Sequence, residues 1–223
     1  MINLYMEVIM KKELKTELTK EKIISAAIDE FGCNGYYGSS LNSICDTGIA
    51  KGLLYHNFAN KNAIYLACVQ RCFHELTEYL KAADIGTDLQ RYASARTDFF
   101  MKNESMKRIF FEAVLQPPVA LRSQIEKIRA EFDKYNNDLY ISLLNTVKLR
   151  PGVTQKEALV YFRLTQEMFN GYFSSQVYSN SVQTEKGTGD DSPQLKKSSD
   201  KLDEHEHMLV KVIDYMLYGI AEK

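Results

Sequence analysis

Ser39-Ser40-Leu41-Asn42-Ser43-Ile44-Cys45-Asp46-Thr47-Gly48-Ile49-Ala50-Lys51-Gly52-Leu53-Leu54-Tyr55-His56-Asn57-Phe58 is the stretch on which the fold turns. Thr47-Gly48 divides it into two short helical segments. Ser39 or Ser40 can cap the first, which runs through Leu41, Ile44 and Cys45. The second, from about Ala50 to Asn57, carries Leu53 and Leu54. Two short helices joined at a glycine, after a longer one, spell a helix-turn-helix. Such a turn holds its second helix proud of the surface, where its first residues can enter a major groove. Lys51 and the ring tips of Tyr55 and His56 offer donors to phosphates or base edges, and Gly52 lets the backbone approach closely. Leu54 and Phe58 are expected to face inward and fix the helix to its base.

The flanking sequence supports this. Ile23, Ala27 and Phe31 recur every four residues with Ile24 and Ile28 beside them, which predicts a first helix capped by Thr19 and stopped by Gly32 and Gly35. Asn60 can cap a fourth helix from Lys61 to about Ala83, its apolar face including Ile64, Tyr65, Cys68, Val69, Cys72, Phe73 and Leu76. Helical spacing continues beyond Gly86, and Pro117-Pro118 closes that segment. Residues 119–148 read as one helix, which at ~1.5 Å per residue spans about 45 Å. Pro151-Gly152 ends it, and residues 154–179 and 200–221 read as two more. The sequence predicts an all-α chain: an N-terminal arm (1–18), a three-helix DNA-binding domain (19–60), and a larger helical region (61–223) with a polar mobile loop at 182–199.

Composition agrees. The chain has 223 residues, 4 Pro, 11 Gly and a net charge of −1, which excludes a uniformly basic nucleic-acid binder. Between Lys11 and Lys61 seven lysines stand against six acids, so attraction to DNA must come from arrangement on one face. No apolar run approaches the ~20 residues that cross a bilayer, and no membrane partner is expected. The first ten residues lack a basic lead and do not read as a signal peptide; Met6 and Met10 are alternative starts to Met1. Cys33, Cys45, Cys68 and Cys72 read as reduced thiols, and the chain is expected in the cytoplasm.

From Thr19 to Cys68 the sequence resembles the DNA-binding domain of the TetR family of bacterial transcriptional repressors. The resemblance rests on Ala26-Ala27, Phe31, Gly35-Tyr36, Ile44, Gly48-Ile49, Lys51-Gly52, Tyr55-His56-Asn57-Phe58 and Lys61. It implies that Lys51, Gly52, Leu53 and Tyr55 face the groove and that Ser40, Tyr55, His56 and Lys61 hold phosphates, Lys61 from a helix N-terminus. It also implies that residues 61–223 form a larger helical ligand-binding and dimerisation domain, and that the protein is a homodimer on a palindromic operator, released by a small-molecule effector. Two departures stand out. Ala50 occupies a position where the family has Ser or Thr as cap and phosphate contact, and the stretch from Ile44 to Gly48 is one residue short.

The rest of the chain carries weaker signals. Aromatics dominate the middle helices, and bundles place ligands between helices. Arg96, Phe99, Phe100, Phe110, Phe132, Gln166, Phe169 and Asn170 are the candidate ligand contacts, and the lining predicts an apolar or aromatic effector. Two apolar rows too broad for one partner predict a four-helix dimer interface. They comprise Tyr161, Phe162, Phe169, Tyr172 and Phe173 on one helix, and Leu209, Val212, Ile213, Met216 and Ile220 on the other. Cys68 and Cys72 share a helix face as metal or redox ligands would, but also as core residues do. His205 and His207, two apart on a helix, do not converge. With no nucleophile motif or Gly-rich phosphate loop, neither an enzyme nor a cofactor is expected. The competing reading is a helical small-molecule-binding protein with a degenerate helix-turn-helix.

Overall fold

The computed structural model describes residues 2–184, 204, 207–209, 211–219 and 221, with side chains described from Leu14 to Tyr172 and at the same C-terminal positions. The helices are α1 (Ile2–Gly38), α2 (Leu41–Asp46), α3 (Lys51–Asn57), α4 (Lys61–Ala82), α5 (Leu89–Lys102), α6 (Glu104–Leu115), a 3-10 turn (Val119–Leu121), α7 (Arg122–Leu144) and α8 (Gln155–Thr184). Residues 207–209 and 211–219 are also helical. Among the described residues there is no strand, only an isolated antiparallel bridge between Leu149 and Ala221. The chain divides into two compact units: residues 1–73 with 103–113 and 117–128, and residues 74–102 with 114–116 and 129–223.

The first unit is built on α1. Its apolar face buries Ile23, Ala27 and Phe31, as the four-residue spacing predicts. Phe31 meets Tyr65 of α4 edge-on, ring centres 5.0 Å apart. Ile44 of α2 and Leu54 of α3 are fully buried and complete a small core. Helix α1 differs from expectation at both ends. It runs back through the arm to Ile2, because no Gly or Pro interrupts that stretch. Thr19 is therefore not a cap; it lies inside the helix, its hydroxyl donating to the Lys15 carbonyl at 2.8 Å. Gly32 does not end the helix either. It lies so close to Ser105 of α6 that a Cβ there would come within 2.5 Å of the Ser105 Cβ. The break comes at Gly35 alone, whose φ of 64° and ψ of 177° no L side chain adopts cheaply.

In the second unit, Tyr92, Phe99, Phe100, Phe132, Tyr140, Phe162 and Phe169 are buried, and Tyr140 stacks on Phe162 with centroids 3.7 Å apart. The helix expected over 119–148 is the 3-10 turn plus α7, ending at Leu144. Helix α8 starts with a capping box: Thr154 Oγ1 accepts from the Glu157 N–H at 3.2 Å, and Glu157 accepts from the Thr154 N–H at 2.8 Å. That helix continues to Thr184, through the first residues of the expected loop at 182–199; the rest of that loop lies outside the described residues.

Candidate nucleic-acid interface and ligand cavity

Local rules position the recognition segment. Ser40, in extended backbone, caps α2 by accepting from the Ser43 N–H at 3.0 Å. The turn closes with the Gly48 and Ile49 N–H groups both donating to the Cys45 carbonyl, at 3.0 and 3.1 Å. Gly48 sits at φ 97°, so a side chain at that position would strain the turn. Ala50 occupies the cap position of α3 and makes no side-chain cap bond. Asn60 caps α4 through the Ala63 N–H at 3.0 Å.

Leu54 is fully buried and Phe58 half-buried, so the inward face is as expected. The opposite face displays Lys51, Gly52, Leu53, Tyr55 and His56, all exposed, and nothing lies within 4 Å of a Cβ built on Gly52. Lys51 Nζ donates to Asn42 Oδ1 across the turn at 3.2 Å. Ser40 is exposed beside it. Lys61 sits differently: its ammonium donates to the Ser39 carbonyl at 2.7 Å and lies 4.9 Å above the Tyr36 ring. It therefore ties the start of α4 to the link between α1 and α2.

Sequence reasoning missed Glu112 of α6. Its carboxylate accepts twice from the Tyr36 N–H, at 2.9 and 3.2 Å, and once from the Tyr65 hydroxyl at 2.8 Å. Burial lifts its pKa above the ordinary carboxylate range, while these donors and the Lys61 charge pull the other way. The one available signal was a lone acid in the apolar run Ile109-Phe110-Phe111-Glu112-Ala113-Val114.

The second unit contains a cavity of about 650 Å³, within the range of small-molecule sites. Gln166 and Asn170 line it, together with Arg129, Asp133, Asn137, Phe162, Arg163 and Glu167 among others. Arg129 is held by Asp133 at 2.9 Å. Arg96, Phe99, Phe100, Phe110, Phe132 and Phe169 are not among its lining residues. Phe99, Phe100, Phe132 and Phe169 are packed in the core of this unit, and Phe110 belongs to the first unit, against Phe73 and Phe111. Arg96 is buried among the rings of Tyr92, Phe100 and Phe132, donating to the Tyr92 hydroxyl at 3.1 Å.

The anticipated dimer residues also separate. Phe162, Phe169, Leu209 and Ile213 are buried within the second unit, Val212 and Met216 are half-buried, and Tyr161 and Tyr172 are exposed. The Phe173 side chain and Ile220 lie outside the described residues, as does His205. Cys68 and Cys72 are both buried, and burial pushes the Cys68 thiol up to about 12. Among the described residues no helix is long and apolar enough to cross a membrane.

A short exposed helix seated on a buried leucine, behind a capped helix and a glycine turn, is the arrangement of a helix-turn-helix DNA-binding regulator. Residues 23–68 match the sequence family described as "Bacterial regulatory proteins, tetR family". Over 182 residues the chain is 39% identical to IcaR of Staphylococcus epidermidis, the biofilm operon icaADBC HTH-type negative transcriptional regulator, covering 72% of this chain and 95% of that protein. It is 29% identical over 112 residues to the HTH-type transcriptional activator FasR of Mycolicibacterium smegmatis, covering 47% of this chain and 51% of FasR. The fold is shared with a TetR-like transcriptional regulator from Rhodococcus sp. RHA1 (TM-score 0.58, 17% identity, 90% of this chain and 96% of that one). The chain belongs to the TetR family of bacterial transcriptional regulators.

Proposed function

We propose that the protein is a homodimeric repressor that binds a palindromic operator through α3 and is released by a small polar effector. The observation that carries the DNA-binding part is the exposed face of α3, which bears Lys51, Gly52, Leu53, Tyr55 and His56; on this reading Lys51, Gly52, Leu53 and Tyr55 face the groove, and Ser40, Tyr55 and His56 hold phosphates. Lys61 contributes from behind, by holding the Ser39 carbonyl next to the capping Ser40. Repression, rather than activation, is favoured by the 39% identity to a negative regulator.

An exposed apolar row on α8 supports pairing of two copies: Val160, Tyr161, Leu164, Met168 and Tyr172. This row sits beside the residues expected from sequence, because Phe162 and Phe169 are consumed by the subunit's own core. The cavity's amides and charged groups support an effector with several hydrogen-bonding groups, in place of the apolar or aromatic compound that aromatic content suggested. Release requires the effector to bind the DNA-incompetent state more tightly than the competent one.

Selection from a random duplex library tests the reading. It should enrich a palindrome with half-sites spaced by about one helical turn, roughly 34–36 Å, or a multiple. Tyr55→Ala should weaken binding to every sequence, whereas Lys51→Ala should also relax sequence preference. Failure to enrich any palindrome would refute the operator assignment and favour a degenerate helix-turn-helix, a reading to which the uncapped Ala50 lends some support.

A further inference from the structure

We propose that Glu112 is a positioning residue for DNA binding: its carboxylate pins the junction of α1 and α2 to α4 and thereby sets how α3 is presented. The proposal rests on the reading that the first unit binds DNA. The contacts form a continuous chain. Gly35 breaks α1, and the next N–H, that of Tyr36, is taken by both Glu112 oxygens. The Tyr65 hydroxyl of α4 donates to the same carboxylate at 2.8 Å. The Tyr36 ring packs edge-on against Tyr65 with centroids 5.0 Å apart, and its hydroxyl donates to Asn62 Oδ1 at 2.6 Å. Above that ring stands Lys61, gripping the Ser39 carbonyl, and the next residue, Ser40, caps α2. From the carboxylate to the cap of α2, each link is a hydrogen bond, a ring contact or a peptide bond.

The chemistry of the position argues for geometry over bulk stability. An acid in an apolar helix face must be desolvated, and an apolar residue of similar volume is often no less stabilising there. What a carboxylate adds is direction: two oxygens that accept from one N–H and one O–H at fixed angles. Contact is close enough to leave little slack, since a Cβ on Gly35 would stand 3.1 Å from Glu112 Oε1.

The test uses the full chain, a duplex selected by the wild type, and the variants Glu112→Ala, Glu112→Gln and Tyr65→Phe. Duplex affinity is measured at a temperature where circular dichroism shows each variant folded, and amide exchange is followed over residues 36–40. Glu112→Ala should lose about tenfold or more in affinity, the scale of a hydrogen bond to a charged group. Glu112→Gln, which keeps one acceptor oxygen, should recover part of that loss, and Tyr65→Phe should lose a few-fold. Exchange over 36–40 should quicken while 27–31 stays protected. Folded variants that bind the duplex with wild-type affinity overturn the proposal, whatever their melting temperatures. If Glu112→Ala fails to fold, wild-type affinity in both milder variants overturns it equally. If the wild type selects no duplex, the DNA-binding reading falls by itself; wild-type protection over 36–40 in Glu112→Gln then separately refutes the pinning.

Discussion

Replacing Ala50 by serine should give the recognition helix the cap it lacks. At Ala50 the backbone is already extended, with φ −60° and ψ 130°, and its carbonyl accepts from the Leu53 and Leu54 N–H groups at 2.9 and 3.1 Å. The first amides of α3 have no side-chain acceptor from that position, and a serine hydroxyl could reach the N–H two or three residues on without moving the chain. Helix α2 shows the same device at work, Ser40 accepting from the Ser43 N–H at 3.0 Å. Removing such a cap costs about 1 kcal/mol, so adding one should stabilise by a similar amount. In a chain of 223 residues that corresponds to a rise of about 2–4 °C in melting temperature. Thermal unfolding followed by circular dichroism, at one fixed protein concentration, reads it directly. Ser40→Ala is the mirror experiment and should lower the midpoint by a comparable amount. If Ala50→Ser leaves the midpoint unmoved while Ser40→Ala lowers it, the geometry assigned to the start of α3 is wrong. If neither moves it, capping does not limit the stability of this unit.

Four further outcomes are expected. Gly32→Ala places a Cβ 2.5 Å from Ser105 Cβ and 2.6 Å from its Cα, so α1 and α6 must separate; a loss of about 1–3 kcal/mol in urea unfolding is expected, and an unchanged midpoint would contradict the packing. Phe162→Ala removes the stack on Tyr140 and should cost about 3–5 kcal/mol; a value below 1 would show that the ring is not held there. In the native protein a thiol reagent should modify exposed Cys33 quickly, and Cys68 and Cys72 only on unfolding. The folded Cys68 thiol titrates near 12 against an ordinary value of 9.0, so its contribution to stability is complete below 9.0 and is lost as pH rises through 12. Cys68→Ala should lack that component of the alkaline unfolding curve.

Features governed by neighbouring residues were legible in the sequence. Ser40 and Asn60 cap the helices they precede, Gly48 makes the turn, and the row Ile23, Ala27, Phe31 faces the core. Each follows from a hydrogen bond or a periodicity confined to a few residues. The start of α1 was misread for a related reason. Thr19 satisfies the local rule for a cap, but with no breaker upstream the helix simply continues, and its hydroxyl bonds back to Lys15. The cavity was obscured by a bias of another kind. Aromatic side chains suggest a pocket, yet the same apolarity also buries them, as it does Phe99, Phe100, Phe132 and Phe169. The polar positions of α7 and α8 that do line space, such as Asn137, Arg163 and Gln166, have the spacing of an ordinary solvated face.

Glu112 marks the limit of reading by motif. The recognition segment can be identified because its residues are close together in the chain and its chemistry is written in Lys51, Tyr55 and His56. How that segment is held depends on contacts across 76 positions, from Tyr36 to Glu112, and across 47, from Tyr65 to the same carboxylate. No periodicity relates those positions, and a single acid among phenylalanines looks in sequence like any residue turned to water. Its role becomes visible only when the kink at Gly35 has turned the Tyr36 N–H toward α6. A motif can therefore identify a DNA-binding regulator while leaving open how its recognition segment is held. On the proposal made above, that is set in this chain by a side chain outside the motif, Glu112 of α6.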